Sequence, residues 1–223
     1  MRVGIKICGD ERDHRIASII CGGPSPLDAE NVAGLVIAAD RGLDFALAAG
    51  ITPDIAAGDF DSAAILPPKG MECVRVPAEK DVTDAWLAAE LAIERGCTEL
   101  RFFCALGGRA DHSAANLQML YSLRLRGINA AIYGENERVF FLHEQTAQIE
   151  RFGGYASVFA FGGNAVVSET GVKYPLDHKE LSPAFPLGVS NEVSEPYAQI
   201  TVHSGTVMVM TVIEHSVKGC TGK

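Results

Sequence analysis

The chain has 223 residues, enough for one large domain or two modest ones, and its 48% hydrophobic and 21% charged residues suit a globular core. A net charge of −9 argues against a general nucleic-acid or anionic-membrane surface, yet leaves room for nucleotides, which need only a local positive site and a metal. No apolar run is long enough to span a bilayer. The first fifteen residues carry Lys6, Asp10, Glu11, Arg12 and Asp13 and lack the apolar core of a signal peptide, so a cytoplasmic location is expected. Cys8, Cys21, Cys73, Cys97, Cys104 and Cys220 form no CxxC pair and read as reduced structural thiols. The histidines form no HExxH or other close pair, which argues against zinc.

In chain order, strands are predicted at 16–21 and 34–39, the second ending at Asp40. Residues 42–49 read as a short helix stopped by Gly50, and 74–76 as a brief strand. A helix is expected over 83–95: Thr83 can cap it, apolar residues recur at Trp86, Leu87, Leu91 and Ile93, and Gly96 ends it. Then come a buried strand at 100–106, a second long helix at 111–126 closed by Gly127, and strands at 128–133 and 139–142. This alternation predicts an α/β fold over residues 1–144, a Rossmann-like layered domain with a mainly parallel sheet. From about residue 145 the long helical patterns disappear. Strand candidates at 155–161, 165–168, 198–202 and 206–212, with turns at Gly162-Gly163-Asn164 and His203-Ser204-Gly205, predict a small all-β sandwich over 145–223.

The chemistry concentrates in the first domain. Asp59 and Asp61 are separated by one residue and preceded by Gly58; in extended backbone their side chains point the same way. Two such carboxylates repel each other unless a cation sits near them. Hard oxygen ligands select Mg2+ or Ca2+, and Mg2+ usually shares its shell with substrate phosphates. Asp40, Asp81 and Asp84 also fall beside predicted strand ends or helix starts, where open α/β sheets bind ligands. Gly107-Gly108-Arg109-Ala110-Asp111-His112 links a strand to a helix. Its glycines let backbone approach a phosphate, the helix start offers free N–H groups, and Arg109 adds a planar positive fork. Asp111 would cap the helix or orient Arg109. Read alone, Asp84 is equally a first-turn aspartate favoured by the helix dipole, Asp40 a turn residue, Trp86 a core residue, His112 a capping residue and Lys80 a solvated one.

Together these residues resemble the thiamine pyrophosphokinase family. Its ordered motifs correspond here to Ala39-Asp40-Arg41-Gly42, Gly58-Asp59-Phe60-Asp61-Ser62, Lys80-Asp81-Val82-Thr83-Asp84 and the Gly107–His112 segment. Gly171-Val172-Lys173-Tyr174-Pro175-Leu176 and Ser190-Asn191-Glu192 match two more in the second half. The resemblance implies an α/β catalytic domain, a β-sandwich second domain and a homodimer that moves the terminal diphosphate of ATP onto the hydroxyl of thiamine, releasing AMP. It implies that Asp59, Asp61 and Asp84 bind Mg2+ and serve catalysis with Arg109. It implies that Asp40, Lys80, Gly107, Gly108, Arg109, Asp111 and His112 hold the nucleotide. Ser190 and Asn191 fall in its thiamine-contacting segment, at a site completed across the dimer interface. The chain departs from the family pattern at Arg41 and Asp44, and its one tryptophan, Trp86, lies in the first domain; Tyr174, Phe185 and Tyr197 are the candidates to stack on thiamine. The rival readings are a pyrophosphokinase for another alcohol, such as a pterin, and a non-catalytic nucleotide or thiamine sensor.

Overall fold

A computed structural model of the chain describes residues 3–9, 14–59, 67–75 and 82–214. Among them are fifteen strands and three α-helices, a mixed and sheet-rich α/β architecture. The chain divides into two compact units, one within Glu11–Phe141 and the other joining Met1–Asp10 to Leu142–Lys223.

The first unit is built on β2 (Ile16–Ile20), β3 (Leu35–Ala39), β4 (Ile55–Gly58), β5 (Glu72–Arg75), β6 (Glu99–Phe103), β7 (Asn129–Tyr133) and β8 (Glu137–His143). Their order across the sheet is β5-β4-β3-β2-β6-β7-β8. Neighbours from β5 to β7 run parallel and β8 returns antiparallel to β7. The order reverses between β2 and β6: from β2 the chain proceeds outward to β3 on one side and later resumes with β6 on the other. A crevice at the carboxyl ends of strands is expected at such a reversal.

Three helices, α1 (Gly42–Ala48), α2 (Asp84–Glu94) and α3 (Ala110–Leu125), pack on this sheet. Thr83 caps α2 as expected, its Oγ1 accepting from the Trp86 N–H at 3.2 Å. The buried face of α2 differs from the expected one. It consists of Ala85, Ala88, Ala89 and Ala92, while Trp86 and Leu87 are half-buried. The partner strands are themselves small, with Ala38, Ala39, Ala56 and Ala57 buried, so an alanine stripe lets the helix lie close without a void. The strand expected to reach residue 106 ends at Phe103 because Cys104 adopts φ 51° and leaves the ladder.

The second unit contains two antiparallel arrays. One is ordered β1 (Ile5–Ile7), β9 (Thr146–Glu150), β14 (Tyr197–Ser204), β11 (Ala165–Thr170), β12 (Leu176–Leu181). The other sets β10 (Gly154–Ala160) between β13 (Gly188–Asn191) and β15 (Thr206–Ile213). Alternate residues are buried, among them Ala147 and Ile149, Ala165 and Val167, Ala156 and Val158, Val207 and Val209. Residues 1–10 were expected with the first domain. They join the second because β1 pairs with β9, Ile5 opposite Ile149. Among the described residues no helix is long and apolar enough to cross a membrane.

Candidate active site

Several residues expected to do chemistry stand where parallel strands end. Asp40 follows β3 directly and turns the chain with φ 47°. Its N–H donates to the Ala57 carbonyl at 2.8 Å, which ties the end of β3 to the end of β4. There Gly58 has φ 146°, and a Cβ at that position would lie 3.2 Å from the Asp40 backbone. Glycine is therefore suited to this close approach of the two strand ends, after which Asp59 follows. Asp59 is half-buried. Asp61, Lys80 and Asp81 lie outside the described residues.

The loops after β2 and β6 flank the reversal in strand order. Cys21 and Gly23 donate backbone hydrogen bonds to the Phe103 and Cys104 carbonyls at 2.9 and 2.8 Å. Burial pushes the Cys21 thiol up to about 12, and the neighbouring Cys104 and Asp84 add to the rise. Helix α2, which Asp84 opens, packs on β2, β3 and β4. High thiol pKa values suit inert structural cysteines, and the described ones, Cys8, Cys21, Cys73, Cys97 and Cys104, are free of disulfides.

Beyond Cys104 the chain turns through Gly107 and Gly108, both at positive φ, into α3. Two side chains missed by sequence reasoning hold this loop from below. The buried Asn116, on α3, donates to the Ala105 carbonyl at 2.7 Å, and Ser113 Oγ donates to the Gly107 carbonyl at 3.4 Å. A polar residue on the apolar face of a helix was the signal that marks Asn116. Asp111 orients Arg109 rather than capping the helix. Arg109 Nη2 donates to Asp111 Oδ2 at 2.6 Å and Nε to Oδ1 at 3.1 Å, while the His112 N–H also donates to Asp111 Oδ1, at 3.0 Å. These contacts, the Arg109 hydrogen bond foremost, hold the Asp111 carboxyl down at about 2.

The carboxylates on offer are Asp59, which follows β4, and Asp84, which opens α2. Such a set fits Mg2+, which needs only one or two protein carboxylates when substrate phosphates fill the rest of its shell. Among the described residues no group of three or more His, Cys, Asp or Glu is assembled to hold a metal by itself.

In the second unit, Ser190 is exposed with φ 58°, its N–H donating to Ser157 Oγ at 2.9 Å. Asn191 is buried, and its amide is fully used. Nδ2 donates to the Tyr174 carbonyl at 2.9 Å and to Glu169 Oε2 at 3.2 Å; Oδ1 accepts from the N–H groups of Tyr174 at 3.0 Å and Glu192 at 3.1 Å. Asn191 thus clamps the two matched segments together, and Tyr174 beside them is 64% exposed. Phe185 and Tyr197 are exposed as well.

An α/β unit with aspartates after β3 and β4 and a glycine–arginine loop before α3, together with an all-β unit, has the parts that a nucleotide-using transferase needs. Residues 28–132 match the family model for the thiamin pyrophosphokinase catalytic domain, and residues 143–207 the model for the thiamin pyrophosphokinase vitamin B1 binding domain. The chain belongs to the thiamine pyrophosphokinase family, and it is an enzyme with that family's activity. Thiamine pyrophosphokinase of Bacillus subtilis (strain 168) is 29% identical over 207 residues, covering 86% of this chain and 96% of that protein. The crystal structure of thiamine pyrophosphokinase from Bacillus subtilis superposes with a TM-score of 0.82 at 26% identity, over 90% of this chain and 100% of that one. That of thiamin pyrophosphokinase from Geobacillus thermodenitrificans gives 0.78 at 28% identity, over 90% and 99%.

Proposed function

We propose that this chain transfers the diphosphate of ATP to the hydroxyl of thiamine, giving thiamine diphosphate and AMP, with the following division of labour. The observation that supports the reading is that Asp40 and Asp59 directly follow the adjacent parallel strands β3 and β4, Asp84 opens α2 and the Gly107–Arg109 loop leads from β6 into α3, in a chain whose residues 143–207 match a vitamin B1 binding domain. The first unit is taken as a Rossmann-like catalytic domain and the second as a thiamine-binding β-sandwich. Gly107, Gly108 and Arg109, with Lys80, Asp111 and His112, hold the ATP phosphates, and Asp40 lies beside the nucleotide. Asp59, Asp61 and Asp84 hold Mg2+, which when bound offsets phosphate charge. The thiamine hydroxyl attacks the β-phosphorus in line, its proton passing to Asp84 and AMP leaving with the α-phosphate. Such transfer depends on positioning and charge stabilisation, which the arginine and the strand-end carboxylates supply. Ser190 touches thiamine while Asn191 holds its segment in place, and Tyr174 is the aromatic residue best placed to stack, being both exposed and fixed by that clamp. The active form is a homodimer with thiamine at the subunit interface, working in the cytoplasm, where free thiols persist.

The test is to add thiamine to the purified chain with ATP and Mg2+ and to separate the products by chromatography. Equimolar AMP and thiamine diphosphate are expected. ATP binding without AMP would favour a sensor, and AMP with a pterin alcohol but not with thiamine would favour the other pyrophosphokinase reading.

A further inference from the structure

Glu169 occupies a core position. On β11, Ala165, Val167 and Glu169 share the buried face, at 1%, 0% and 2% exposure. A carboxyl there is costly unless it makes hydrogen bonds. It makes one: Oε2 accepts from Asn191 Nδ2, across from the β11 sheet to the β13 array, while Oε1 has no hydrogen-bond partner among the described residues.

We propose that Glu169 is a positioning residue for thiamine binding, acting through Asn191 to set Lys173, Tyr174 and Ser190 as one rigid edge. The inference rests on the reading that the Ser190 segment contacts thiamine. Asn191 has two amide N–H groups. One holds the Tyr174 carbonyl, and the other would be buried without an acceptor if Glu169 were apolar. The unpaired N–H would weaken the hold of the amide on Tyr174, which then rests on its three remaining hydrogen bonds. Lys173 lies on the same edge: its N–H donates to the Glu192 carbonyl at 2.9 Å, and its Nζ to Glu192 Oε1 at 2.7 Å. Ser190 sits in a left-handed conformation that a non-glycine residue keeps only when its surroundings hold it. Loss of the Glu169 anchor therefore loosens the exposed edge, although Glu169 itself reaches no ligand.

The experiment measures KM for thiamine and for ATP, with kcat, in wild type, Glu169→Gln, Glu169→Asp, Glu169→Leu and Ser190→Ala, alongside thermal melting. Gln keeps an acceptor at the same reach and is expected to stay within about twofold of wild type. Asp is one methylene short and Leu has no acceptor; both are expected to raise thiamine KM about tenfold with ATP KM unchanged. Should Leu fail to fold, Asp carries the test. Unchanged thiamine KM in Glu169→Asp, or equal rises in both KM values, would overturn the proposal. If Ser190→Ala raises thiamine KM while Glu169→Asp does not, the segment reading stands and only the Glu169 role falls. If Ser190→Ala has no effect, the segment reading falls and the inference with it.

Discussion

The Arg109 guanidinium grips the Asp111 carboxylate through two N–H groups, at 2.6 and 3.1 Å, at the first turn of α3. Both side chains are mostly exposed, 71% and 64%, so the pair adds little to stability. Its effect is on direction: a guanidinium held at two points presents its remaining N–H groups to one place. Asp111→Ala is expected to leave the melting temperature unchanged and to raise ATP KM by about tenfold while thiamine KM stays constant. Steady-state kinetics with each substrate varied in turn check this. A thiamine-specific defect would contradict it.

Asp59 follows the strand end that Gly58 brings against Asp40. Asp59→Asn keeps the shape and removes the charge. If Asp59 holds Mg2+ at the diphosphate, kcat is expected to fall at least ~100-fold, with the melting temperature retained. AMP release at saturating ATP and Mg2+ is the readout, and near-wild-type turnover would remove Asp59 from the metal set.

The buried Glu169 carboxyl is pushed up to about 7 by desolvation, only partly offset by Asn191. Its ordinary value is 4.5, so the folded state binds the proton more tightly than the unfolded chain. This contribution is fully present below pH 4.5, where both states are protonated, and is lost as pH rises through 7. The shift corresponds to roughly 3 kcal/mol. Relative to wild type, Glu169→Gln is expected to gain stability from pH 5 to about pH 7 and to level off above it, because it carries no ionisable group to lose. Urea melts of both chains across that range test it, since all other ionisations cancel in the difference. A flat difference would show that Glu169 titrates normally.

Local signals in the sequence were legible. The Thr83 cap, the Gly96 and Gly127 stops and the Gly107-Gly108-Arg109 loop depend on neighbours a few residues away, and all appear where expected. Pairings across the chain were not. Strand β1 meets β9 at Ile5 and Ile149, and nothing near Ile5 announces it. Strand β12, Leu176-Asp177-His178-Lys179-Glu180-Leu181, has four successive exposed residues and so lacks the alternation that marks a strand; it lies at the edge of its sheet, where neither face need be apolar. Site residues followed the same division. Arg109 and Asp59 stand out as charges beside glycines. Glu169 does not stand out in the sequence, because its one side-chain partner, Asn191, is 22 positions further on.

Gly58 offers a test of how closely β3 and β4 must approach. Its φ of 146° is one that L side chains rarely adopt, and an added Cβ would press on the Asp40 backbone at 3.2 Å. Gly58→Ala therefore strains the backbone and pushes Asp40 and Asp59 apart. The cost is expected to be about 2 kcal/mol, which for a chain of this size lowers the melting temperature by roughly 4–8 °C. If Asp40 lies beside the nucleotide and Asp59 holds Mg2+ at its phosphates, ATP KM should rise as well. Gly50, also at positive φ but with open space around its Cβ, supplies the control: Gly50→Ala meets strain without a neighbour and should leave ATP KM untouched. Equal effects of the two substitutions on ATP KM would mean that the contact between strand ends does not shape the nucleotide site.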